Sequence, residues 1–134
     1  LKILLVEDNP GDVLLVREAL READLQFELL HISDGEEAVR YVRNREPRLH
    51  IPVLVLLDLN LPKCDGWEIL DELRAAPDFA RTPVVILSSS GAPADVSRAL
   101  KFERLIYIRK PPSLDEFLSL GWRIREFLAA ANAA

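Results

Sequence analysis

Apolar residues recur along the chain in two alternating rhythms. Short runs rich in leucine and β-branched residues lie at Lys2–Val6, Phe27–Ile32, Val53–Leu57, Val84–Leu87 and Leu105–Ile108. Three of them are apolar nearly throughout, which predicts strands covered on both faces of a parallel sheet. Between and after them, helical spacing predicts helices over about 12–23, 35–45, 66–75, 93–102 and 113–130. Val13, Val16, Ala19, Leu20 and Ala23 share one side of the first helix, leaving Leu14 and Leu15 pointing away. Its start carries Asn9 as N-cap, Pro10 at the first helical position and Asp12 near the positive dipole end. Asp34-Gly35, Asp65-Gly66 and Pro112-Ser113 open the second, third and fifth helices. On the fifth, Leu114, Phe117, Leu118, Ile124 and Leu128 form the expected core stripe, widened by Leu120 and Phe127, with Trp122 on the other side. The stretch Glu46–Pro52 reads as a loop.

Strict strand–helix alternation predicts an α/β sandwich with right-handed crossovers, and five strands favour an open doubly wound sheet over an eight-fold barrel. In such sheets the active crevice lies beyond the carboxyl ends of the strands. There the first strand ends in Glu7-Asp8, the third in Asp58, the fourth in Ser88 and the fifth in Lys110. With the strands parallel and adjacent, three carboxylates, a hydroxyl and an ammonium converge. Carboxylates within ~5 Å repel by roughly 1 kcal/mol per pair in water and by several in protein. The cluster therefore calls for positive charge. Lys110 supplies one, and hard oxygen ligands select a divalent cation, Mg²⁺ best, since it keeps positions open for water and phosphate. Such a site suits a carboxylate that accepts a phosphoryl group, with Ser88 and Lys110 available to its oxygens.

Composition narrows the setting. A chain of 134 residues fits one domain, here 1–134. The longest unbroken apolar run, Val53–Leu57, is far short of the ~20 residues that cross a bilayer, so no membrane span is expected. Seventeen basic residues against 22 acidic ones give a net charge of −5 with no basic tract, a poor match to nucleic acid. Cys64 stands alone, so no internal disulfide can form, and a cytoplasmic protein is expected. Methionine is absent, position 1 included, which leaves open residues ahead of Leu1. His31 and His50 lack metal-ligand spacing and read as structural or surface residues.

Four strings in order carry a family resemblance. They are Leu4-Leu5-Val6-Glu7-Asp8-Asn9; Leu56-Leu57-Asp58-Leu59-Asn60-Leu61-Pro62 followed by Asp65-Gly66; Pro83-Val84-Val85-Ile86-Leu87-Ser88; and Tyr107-Ile108-Arg109-Lys110-Pro111. Together they resemble the receiver domain of two-component response regulators, and the match spans the chain. The resemblance implies a flavodoxin-like sheet of order 2-1-3-4-5 with five helices, and a single-domain response regulator. Asp58 resembles the phosphorylated aspartate. Glu7 and Asp8, with Asp58 and the main-chain carbonyl of Asn60, look like the Mg²⁺ ligands. Ser88 and Lys110 match the residues that bind the phosphoryl group, and Tyr107 matches an aromatic switch residue. Asn60 and Ser90 match positions that tune phosphoryl lifetime. The Lys110–Pro111 bond is expected cis. A histidine kinase is the implied donor. The Glu-Asp-Asn-Pro-Gly-Asp-Val start and the Leu-Asp-Leu-Asn-Leu-Pro-Lys string look like stand-alone receivers paired with phytochrome-type kinases. Leu14 and Leu15 on the first helix read either as the edge of the core or, as the resemblance implies, as the contact with the kinase. A homodimer or effector would meet the face of the fourth helix, fifth strand and fifth helix. The chain departs from the family at Phe102-Glu103-Arg104, where a small Gly-Ala pair is usual, and at the second proline, Pro112.

Other classes fit less well. A flavin carrier would place phosphate where Glu7-Asp8 repels it. A haloacid-dehalogenase-type phosphatase wants an aspartate where Asn60 stands. A degenerate receiver, acting as a phosphate-independent binding module, would not need all five site residues. The expectation is a switch that catalyses only its own phosphorylation and dephosphorylation, not a metabolic enzyme.

Overall fold

A computed structural model describes residues 1–44, 46–48 and 50–133. Five strands and five helices alternate: β1 (Lys2–Val6), α1 (Pro10–Glu22), β2 (Glu28–Ile32), α2 (Gly35–Arg43), β3 (Leu54–Leu57), α3 (Gly66–Ala75), β4 (Val84–Ser88), α4 (Pro93–Ala99), β5 (Leu105–Arg109) and α5 (Leu114–Ala133). All strands pair in parallel, in the order β2-β1-β3-β4-β5. Each strand matches its predicted range to within a residue.

Period-two alternation divides the core into two layers. Leu4, Val6, Val55, Leu57, Val84 and Ile86 face α2 and α3 and meet Val42, Trp67, Leu70, Leu73 and Phe79. Ile3, Leu5, Leu54, Leu56, Val85 and Leu87 face the other way, against Val13, Val16 and Leu20 of α1 and Phe117, Leu120, Ile124 and Leu128 of α5. The three central strands are therefore covered on both sides, as their unbroken apolar runs require.

Helix starts follow the side-chain caps. Asn9 accepts from the N–H groups of Gly11 and Asp12, Asp34 from those of Glu36 and Glu37, and Asp65 from that of Trp67. The Ser113 hydroxyl accepts from the Glu116 N–H at the head of α5. The second helix stops at Arg43, with Asn44 as its C-cap; Arg45, its predicted last residue, lies outside the described residues, as does Leu49 in the predicted loop.

Three expectations are corrected. The fourth helix ends at Ala99 instead of 102, because Phe102 turns in to stack on Trp67 (ring centroids 6.0 Å apart, planes 19° from parallel) and Arg104 adopts a left-handed φ of 57°. On α5 the buried stripe is Phe117, Leu120, Ile124 and Leu128; Leu114 is 58% exposed and Leu118 half-buried. Gly121 sets that phase: a Cβ there would lie 1.8 Å from the Ala19 carbonyl oxygen, so this turn of α5 presses on α1. Finally, the Lys110–Pro111 bond is trans, like every peptide bond among the described residues. Trans is the isomer favoured for X–Pro by ~0.5–1 kcal/mol.

Candidate functional site

The sheet register brings the polar residues together. Val6 lies beside Leu57, and Leu57 beside Ile86, so Glu7 and Asp58 emerge side by side one residue later. Main-chain bonds hold them there: the Glu7 N–H donates to the Ile32 carbonyl at 3.1 Å and the Asp58 N–H to the Val6 carbonyl at 3.0 Å. Lys110 is fixed similarly, its N–H donating to the Ser88 carbonyl at 2.8 Å.

One carboxylate oxygen from each of Glu7, Asp8 and Asp58 lies within 4.8 Å of the others. Glu7 and Asp58 are buried and Asp8 is exposed. Burial pushes the Glu7 carboxyl up to about 7, and neighbouring Asp58 adds to this while Lys110 opposes it. Three carboxylate oxygens this close together, with Asp8 open to solvent, suit a small divalent cation. On this test the residues fit Mg²⁺ or an ion like it.

The Lys110 ammonium reaches Glu7 Oε1 at 2.6 Å, Asp12 Oδ2 at 2.8 Å and Asp58 Oδ2 at 3.2 Å. Burial alone would lower its pKa, but hydrogen bonds to Asp12 and Glu7, with the charges of Glu7 and Asp58, raise it instead. It is therefore held as the ammonium at neutral pH. The two oxygens of Asp58 are thus divided, since Oδ1 accepts from the Asn60 N–H at 3.0 Å. Ser88, fully buried, accepts at its hydroxyl oxygen from the Asn60 side-chain amide (3.3 Å) and the Ser90 N–H (3.2 Å). Tyr107 is half-buried, and its hydroxyl donates to the Ser90 carbonyl. The loop after β4 is therefore tied to Asn60 on one side and to β5 on the other. A solvent-open cleft of about 750 Å³, lined by Asp12, Ser89, Lys110, Pro111 and Glu116 among others, adjoins the ammonium.

Glu7, Asp8, Asp58, Asn60, Ser88 and Lys110 thus lie at the carboxyl ends of the strands, while Tyr107 sits mid-strand in β5 and reaches the site through the Ser90 carbonyl. Two neighbours were not foreseen. Asp12 reads in the sequence only as a dipole partner, although Asn9 and Pro10 place it in the first turn of α1, facing the strand ends. His31 has Nε2 2.7 Å from the Glu7 carbonyl, a contact across β1 and β2 that no local pattern marks. His50 is exposed and lines a hollow at the opposite end of the sheet. Leu14 is 63% exposed, whereas Leu15 is half-buried against the α1–α5 layer.

Comparison with known proteins points the same way as this geometry. A profile of the response regulator receiver domain matches residues 3–120. Response regulator Rcp1 of Synechocystis sp. is 37% identical over 130 residues, covering 93% of this chain and 86% of that protein. The phosphorylated cyanobacterial phytochrome response regulator RcpA has a TM-score of 0.83 at 38% identity, over 96% of this chain and 94% of its own. The Mn²⁺-bound form of Rcp1 has a TM-score of 0.80 at 36% identity, over 94% and 92% of the two chains. No helix among the described residues is long and apolar enough to cross a membrane.

Proposed function

Because the chain belongs to the response regulator receiver domain family, we propose that it is a signalling phosphoacceptor whose Asp58 takes a phosphoryl group from a histidine kinase. One observation carries this reading: a buried Asp58 carboxylate set between a three-carboxylate cation site and the Lys110 ammonium. Glu7, Asp8, Asp58 and the main-chain carbonyl of Asn60 would hold a Mg²⁺ ion, which would supply counter-charge for the incoming phosphoryl oxygens.

An Asp58 oxygen attacks phosphorus, the new P–O bond forming as the P–N bond to the donor imidazole breaks. The nitrogen keeps the electron pair and is protonated. Lys110, already 3.2 Å from Asp58, donates to a phosphoryl oxygen. Ser88 exchanges its bonds with Asn60 and Ser90 for another, and the β4–α4 loop follows. Tyr107, bonded to the Ser90 carbonyl, then turns inward, carrying the change to the face of α4, β5 and α5. That face is the proposed contact for a homodimer or an effector protein. Attack by water on phosphorus returns the Asp58 carboxylate and inorganic phosphate. Asn60 and Ser90, which flank Ser88, are placed to set how long the phosphoryl group lasts.

Likeness to Rcp1 and to the cyanobacterial phytochrome response regulator RcpA supports a receiver served by a phytochrome-type kinase. The exposed Leu14 of α1 is the proposed point of kinase contact. The test is chemical. Incubated with acetyl phosphate and Mg²⁺, the protein is expected to gain the mass of one phosphoryl group, and Asp58→Ala to gain none. No gain, or a gain that survives the substitution, overturns the proposal.

A further inference from the structure

We infer that Asp12 is the positioning residue for Lys110, keeping the ammonium over Asp58 when Glu7 is drawn to a divalent cation. The inference rests on the reading of Asp58 as phosphoacceptor. An ammonium has three N–H donors, and here all three are used, on Glu7, Asp12 and Asp58. The two shortest of these bonds, 2.6 and 2.8 Å, go to Glu7 and Asp12, so these two residues and not Asp58 fix where the nitrogen sits.

They differ in one respect. Glu7 also belongs to the carboxylate trio able to hold a cation, whereas Asp12 lies outside it. A cation that engages Glu7 withdraws electron density from its bond to Lys110. Asp12 is then the carboxylate left to hold the ammonium in place. Its own position is set independently of the cation, because the Asp12 N–H donates to the Asn9 cap at 3.3 Å in the first turn of α1. The pair is sheltered as well: the side chains of Lys110 and Asp12 are 12% and 23% exposed. Solvent screening, which empties most surface ion pairs of value, is weaker there. Without Asp12, the ammonium can lean only on Glu7 and Asp58, the same oxygens the cation and the phosphoryl group require.

An acidic residue in a helix's first turn also stabilises the helix, so the test must separate the two roles. Phosphorylation by acetyl phosphate with Mg²⁺ is measured for the wild type, Asp12→Asn, Lys110→Met and the double variant, with thermal melting as the check on folding. Asp12→Asn is expected to slow the wild-type reaction about tenfold and the Lys110→Met reaction less than about twofold, since a residue that acts through Lys110 has nothing to position once it is gone. An equal slowing in both backgrounds, or none in the wild type, overturns the inference. A second readout does not depend on turnover. In the Mg²⁺-bound protein the Lys110 ammonium ¹⁵N signal is expected to be visible and to broaden by exchange with water in Asp12→Asn; an unchanged signal overturns the inference. Asp12→Ser repeats both comparisons with a smaller polar side chain. A wild type that takes no phosphoryl group at all overturns the phosphoacceptor reading, and this inference with it.

Discussion

Cys64 shows how neighbours decide the chemistry of a single side chain. Its sulfur lies 3.6 Å from both the Glu68 carboxylate and the Asp65 carbonyl. Burial pushes the thiol up to about 11, and the Glu68 hydrogen bond and the charges of Glu68, Asp65 and Glu36 push the same way. The reactive thiolate is thereby suppressed at neutral pH. Alkylation by iodoacetamide at pH 8 is expected to run more than about tenfold slower than for a free thiol, to accelerate as pH rises, and to quicken in Glu68→Gln. A rate equal to that of a small free thiol would contradict this account. The residues at the strand ends were legible in the sequence for a different reason. A charge that closes an apolar run is located to within one residue, and parallel pairing then brings such charges together whatever the loops do. Asp12 was less legible because a helical residue's direction depends on rotation about the helix axis, which the caps fix only in three dimensions.

Among the described residues, α1 and α5 make the most extensive helix–helix contact, and it turns on Gly121. A Cβ at that position would meet the Ala19 carbonyl oxygen at 1.8 Å and its carbon at 2.5 Å, both main-chain atoms that cannot step aside. Gly121→Ala is expected to lower the unfolding free energy by about 2–3 kcal/mol, despite alanine's better helix propensity, as read by urea denaturation. A neutral or stabilising result would mean that α5 can slide along α1. The same glycine explains why the α5 stripe was misread. Leucines at 114, 118, 120 and 128 satisfy several helical phases, and the choice among them lies in α1, where Ala19 leaves room for only one. By contrast α4 is lightly held. Only Ala99 is buried, and no side chain caps its start. Beside its contact with β5, it is tied to Trp67 of α3, whose indole N–H donates to Asp95 at 3.3 Å while Arg98 lies 4.6 Å over the ring. An element so sparsely anchored is the one a small change near Ser88 can displace.

At the scale of the molecule, the carboxylate cluster is a local surplus of negative charge within a chain of net charge −5. A cation that binds only the folded state stabilises it by mass action, about 2.7 kcal/mol at a hundred times its dissociation constant. Mg²⁺ is expected to raise the melting temperature of the wild type and to have little effect on Asp8→Asn, which leaves the buried core untouched. An equal rise in both would place the binding elsewhere. The fold class was legible because alternation is a property of the whole chain and survives errors of a few residues at any boundary. The ammonium at the site also bears on the order in which the protein forms. Lys110 meets Glu7 across 103 residues of sequence and Asp58 across 52. Pairing of β1 with β3 brings Glu7, Asp8 and Asp58 together, yet their counter-ion arrives only when β5, at the sheet's edge, docks. Any folding intermediate built on the first three strands carries the repulsion without its relief. Docking of the edge strand is thus coupled to neutralising the site, and its rate is expected to depend on ionic conditions as well as on chain topology, as read by refolding at different salt concentrations.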